Sequence, residues 1–71
     1  SPKIPSENEL NSAKKEMLRN LSHSPTSVEE LISFTQIPIN IVNIILIQLE
    51  LANIIENNHD MINLKNNAIL T

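Results

Sequence analysis

The run Pro38 to Ile55, PINIVNIILIQLELANII, is the longest apolar stretch of the chain, and its reading decides the fold. Val42, Ile45, Leu46 and Leu49 recur at i, i+3, i+4 and i+7, one face of a 3.6-residue repeat, which predicts a helix over about Ile39 to Ala52. The run is too long for one strand, although its isoleucines would suit one. Pro38 stands at the start, where a missing N–H costs nothing. Asn53 occupies the exit position where a left-handed residue usually ends a helix. The joint Leu46-x-x-Leu49-Glu50-x-x-Asn53-Ile54-Ile55 then leads into a strand.

The opposite side of this helix carries Asn40, Asn43, Ile44, Ile47, Gln48 and Leu51. Ile44, Ile47 and Leu51 form a second apolar stripe, with no Lys or Arg beside it. A helix apolar on both sides is buried on both sides or is half of an interface. The wing, the tail or the first helix is the alternative cover for the stripe, with Leu51, beside the hairpin, the first candidate to be covered.

Upstream, Ser6-Glu7-Asn8-Glu9 is a capping box that opens a helix over about Glu7 to Leu21, with Leu10, Ala13, Met17, Leu18 and Leu21 inward. Pro25 discourages helix before it. Ser27-Val28-Glu29-Glu30 is a second capping box, opening a helix over about Val28 to Thr35 with Val28, Leu31 and Ile32 inward and Phe34 partly in the core. Gln36-Ile37-Pro38 is the short turn of a helix-turn-helix. Downstream, Ile54 to Asn57 and Met61 to Leu64 read as two strands joined through Asn57-Asn58-His59-Asp60, residues that tolerate the left-handed region. The order predicts a mainly α winged helix (α+β): a three-helix helix-turn-helix core with a two-stranded β-wing. Residues 1–5 are a Pro-broken linker, 6–65 the winged-helix domain, and 66–71 a tail whose Ala68, Ile69 and Leu70 are free to dock.

The chain has 71 residues, enough for one small domain. Such a core buries only about 60% of the unfolded surface. It has no cysteine to brace it, which fits a reducing, cytoplasmic compartment. A start at Ser instead of Met suggests an excised piece or a tag remnant. No apolar run of about 18 residues indicates a membrane span. The net charge is −3, and Lys and Arg are missing between Asn20 and Leu64.

That charge bears on nucleic acid. Asn40, Asn43 and Gln48 are types that pair with adenine edges in the major groove. Lys14, Lys15 and Arg19, with Lys65, are the candidates for phosphates. Glu29, Glu30, Glu50, Glu56 and Asp60 all fall in the half that would dock. Even about six phosphate contacts give only moderate affinity at physiological salt, so weak nucleic-acid contact is the most these residues predict. For catalysis, His23, Glu56, His59 and Asp60 make no nucleophile–base pair and no metal-ligand spacing. No catalytic residue, metal or cofactor is expected.

A narrower resemblance rests on Leu21-Ser22 with Pro25-Thr26-Ser27-Val28-Glu29-Glu30-Leu31, then Thr35-Gln36-Ile37-Pro38-Ile39, then Leu46-Ile47-Gln48-Leu49-Glu50-Leu51-Ala52-Asn53-Ile54-Ile55. Together these resemble the C-terminal winged-helix domain of the DNA-processing protein A (DprA/Smf) family, across about Glu16 to Leu64. Leu49-Glu50-Leu51 is its most telling piece. Two positions depart. The family's Gly at the exit of the third helix is Asn53 here, and its Gly-rich wing tip with basic neighbours is Asn57-Asn58-His59-Asp60. The resemblance implies a parent protein of natural transformation, whose Rossmann-like domain binds single-stranded DNA and helps load RecA. For this domain it implies a protein or self-association module, or an auxiliary duplex-DNA contact. The reading that follows is protein association through the third helix. The alternative is the DNA-binding helix-turn-helix of a transcriptional regulator, which should show Lys or Arg on that helix or the wing.

Overall fold

The computed structural model describes residues 4–65. Helix α1 spans Glu7–Asn20, strand β1 Thr26–Ser27, helix α2 Val28–Thr35, helix α3 Ile39–Leu51, strand β2 Ile55–Asn58 and strand β3 Met61–Leu64. The expected tail at 66–71 and the first three linker residues lie outside the described part.

The serines of both capping boxes cap their helices as the spacing predicts. The Ser6 hydroxyl accepts the Glu9 N–H at 3.2 Å, and the Ser27 hydroxyl accepts the Glu30 N–H at 3.0 Å. Each satisfies an N–H that the helix itself leaves open. Helix α2 ends at Gln36, which takes φ 58 and donates its N–H to the Ile32 carbonyl at 2.7 Å. Thr35 steadies the same turn, donating to the Leu31 carbonyl and accepting from the Ile37 N–H. The chain then re-enters α3 across a bend of 120°, at the wide end of the helix-turn-helix range. No side chain caps α3; the Pro38 carbonyl receives the N–H groups of Ile41 and Val42, both at 3.0 Å.

The exit of α3 is a Schellman motif. Asn53 stands at φ 66, its N–H bonds the Glu50 carbonyl, and the Ile54 N–H bonds the Leu49 carbonyl, each at 3.0 Å. Asn53 thus fills the left-handed position expected of it. The turn throws Ile55 back under the helix, where it is buried.

The hairpin forms as expected and gains a partner. Strand β3 lies between β2 and β1 in an antiparallel sheet of order β1-β3-β2, with Thr26 opposite Ile62 and Asn57 opposite Ile62 on the other side. The two-residue loop is His59-Asp60, at φ 52 and 65. Positive φ at both positions gives the backbone twist that matches paired strands. Asn57 and Asn58, expected in the turn, belong to β2, and the Asn57 side chain accepts the Asp60 N–H at 3.1 Å.

The core gathers the periodic residues of every element. Met17 and Leu21 come from α1, Leu31 from α2, Val42, Ile45, Leu46 and Leu49 from α3, and Ile55 and Ile62 from the hairpin. Ile37 joins them from the turn. Each contributes roughly 1.5–3 kcal/mol by leaving water. Phe34 corrects the expectation of partial burial: it is 63% exposed, because it lies off the side of α2 that carries Val28, Leu31 and Ile32. No single helix among the described residues is long and apolar enough to cross a membrane.

Candidate interaction surface

The outer side of α3 stands in the solvent. Ile47 is 58% exposed and Leu51 84% exposed, while Ile44 is half-buried. The alternative, a cover over Leu51 by the hairpin, is not met, because the Asn53 turn carries β2 away beneath the helix. Asn40, Asn43 and Gln48 are exposed on the same side.

One edge of that side looks into a groove of about 670 Å³ between α3, the start of α2 and the tip of the wing. Helix α3 supplies Ile39, Asn43, Ile47 and Glu50, one turn after another. The start of α2 supplies Val28 and Glu29. The wing supplies His59, Asp60 and Met61. The wing tip is held there by backbone: the Asp60 carbonyl accepts the Val28 N–H at 3.0 Å. This bond also satisfies a donor at the open end of α2.

Of the residues singled out from sequence, the groove brings together Asn43 and Ile47. Asn40, Ile44, Gln48 and Leu51 are not among its lining residues, and neither are Lys14, Lys15 and Arg19 of α1. Arg19 is paired with Glu16 at 3.5 Å on the exposed side of α1; an exposed pair of this kind contributes little. Lys65 is also engaged, donating from Nζ to the Asn53 side chain at 2.6 Å. Its N–H bonds the Ile54 carbonyl, so the foot of the hairpin is clasped to the end of α3. His23 is held by its ring: Nδ1 donates to the Leu64 carbonyl at 3.0 Å. Glu29, Glu50 and Asp60 share the docking half expected from sequence, but their meeting with His59 and Met61 around one groove is not in that reading. They come from three separated segments, and no local spacing could signal their meeting. Among the described residues no three His, Cys, Asp or Glu side chains gather closely enough to hold a metal ion.

A helix-turn-helix followed by a hairpin that packs on its last helix defines a winged-helix domain. The family model of the DprA winged helix domain matches residues 1–60. The chain therefore belongs to the DprA winged helix domain family. No curated protein and no solved structure gives a match.

Proposed function

We propose that this domain is the C-terminal accessory module of a DprA/Smf-like DNA-processing protein, serving natural transformation and the recombination of incoming DNA in the bacterial cytoplasm. It performs no chemistry of its own. It works by protein association through α3, with Ile44, Ile47 and Leu51 as the contact stripe and either a partner protein or a second copy as the occupant. Single-stranded DNA and RecA are handled by the parent protein.

The observation that carries this reading is the surface of α3. It presents three large apolar side chains to water, Ile39, Ile47 and Leu51, and no Lys or Arg, and Glu50 on it and Glu29 and Asp60 beside it are acidic. Duplex recognition needs cations against phosphate before any base can be read. Exposed Asn40, Asn43 and Gln48 supply base-pairing chemistry without that support.

Nitrogen-15 shift mapping of the 71-residue chain tests the proposal. A dilution series is expected to move Ile44, Ile47 and Leu51, and Ile47→Asp to abolish the effect in a folded protein. An AT-rich duplex at low salt is expected to leave α3 unmoved. Salt-sensitive shifts focused on Asn40, Asn43 and the wing tip would instead make the domain a DNA reader of the transcriptional-regulator kind.

A further inference from the structure

The groove beside α3 has a composition that names the chemistry of its occupant. Its depth is apolar, formed by Ile32 and Leu46, and Ile39, Ile47 and Met61 stand exposed around it. Its rim carries three carboxylates from three different elements: Glu29 on α2, Glu50 on α3 and Asp60 on the wing. Among the described residues His59 is the only basic side chain in the lining, and no Lys or Arg appears there. The carboxylates do not converge on a point, since no metal-holding cluster exists among the described residues. They surround an apolar floor instead.

We infer that this groove docks a short segment of a partner protein in which apolar residues are flanked by Lys or Arg. The apolar residues take the floor and the cations meet Glu29, Glu50 and Asp60. This rests on the protein-association reading above and gives that association its partner chemistry. The size suits such a segment: about 300–1,000 Å³ is the range that encloses a small ligand or a few side chains. A phosphate backbone is opposed by the rim, because three carboxylates repel it where a nucleic-acid surface supplies cations. A second copy of the chain fits poorly as the occupant. Among the described residues its exposed cations Lys15 and Arg19 stand on α1 beside Asn8, Asn11 and Ser12, away from the exposed large apolar side chains. The described surface thus favours another chain in the groove, whatever forms on the Ile44/Leu51 side.

The test uses three synthetic dodecapeptides against the labelled 71-residue chain. One alternates Lys and Leu, one replaces every Leu with Ser, and one replaces every Lys with Glu. The Lys/Leu peptide is expected to shift Ile39, Asn43, Ile47 and Met61, and to bind at least tenfold more tightly than either of the others. The double variant Glu50→Lys/Asp60→Lys, with an unchanged fold by its dispersed spectrum, is expected to weaken that binding at least tenfold. Raised salt is expected to weaken it further. Equal binding of the Lys/Leu and Lys/Ser peptides overturns the assignment, since the floor then contributes nothing. So does peptide binding that the double variant leaves unchanged, or no shift with any peptide. If the groove fails in any of these ways while dilution still moves Ile44 and Leu51, the groove assignment alone is lost. Duplex-induced shifts at Asn40 and Asn43 with no dilution effect remove the association reading as well.

Discussion

Among the described residues of this glycine-free chain, four hold positive φ: Gln36, Asn53, His59 and Asp60. For a residue with a Cβ the left-handed region costs roughly 1–2 kcal/mol, less for Asn and Asp, whose short side chains tolerate it. Gln36 has no such excuse, and its side chain makes no hydrogen bond among those of the described residues. Gln36→Gly is therefore expected to stabilise the domain by about 0.5–1 kcal/mol, after the extra freedom of glycine in the unfolded chain is subtracted. Urea denaturation measures it, and a loss of stability would show that the Gln side chain does more than its contacts indicate. Asn53 makes the contrast. Its side chain accepts from Lys65, so Asn53→Gly trades relief of strain for a lost contact and should change stability by less than about 0.5 kcal/mol. Asn53→Val puts a β-branched residue at the same φ and should cost about 1–2 kcal/mol.

Helix α3 places residues of opposite consequence next to one another. Leu46 is buried in the core and Ile47 is exposed. Leu46→Ala is expected to cost about 2–5 kcal/mol, as core truncations do; a change below about 1 kcal/mol in thermal or urea unfolding would mean that the side chain is not packed as described. Ile47→Asp is expected to change stability by within about 0.5 kcal/mol and to act on association alone. In α2 the Ser27 cap is expected to be worth about 1 kcal/mol, read from Ser27→Ala by the same denaturation. The three helices and the hairpin were legible because each announces itself locally, by a capping box, an apolar period or a turn-tolerant run. Strand β1 was not: two residues cannot display a period, and Thr26 and Ser27 are extended only because β3 arrives beside them from the far end of the chain. Phe34 was misplaced, and the alternative of a covered Leu51 fails, for a related reason. Apolar character predicts burial on average, but the directions of short α2 and of the Asn53 turn decide which face is covered.

The domain as a unit depends on contacts between its ends. Ile55 and Ile62 carry the hairpin into the helical core, the Ser22 carbonyl accepts the Leu64 N–H at 2.7 Å, and Lys65 closes the foot of the wing. A chain of 71 residues has a total stability of only about 4–10 kcal/mol. Ile62→Ala, at about 2–5 kcal/mol, is therefore expected to remove a large share of it and to lower the urea midpoint for the helices and the hairpin together. Separate transitions for the two would show that the wing folds as an appendage. The distribution of charge follows the same architecture. Lys14, Lys15 and Arg19 stay on α1, while acidic residues from three elements meet at the groove, a juxtaposition that only the folded chain creates.

The bond from the Val28 N–H to the Asp60 carbonyl fixes the distance between the wing tip and α2 without any partner present. A wing held in this way is a brace rather than an arm. A segment entering the groove finds its walls already in place and need not order a loop on arrival, so the conformational entropy of closure is spared. Association should then run at the rate of encounter, faster at low salt where the carboxylate rim attracts a cationic segment over longer distances. Differences in affinity among related segments would appear in how long they stay rather than in how fast they arrive.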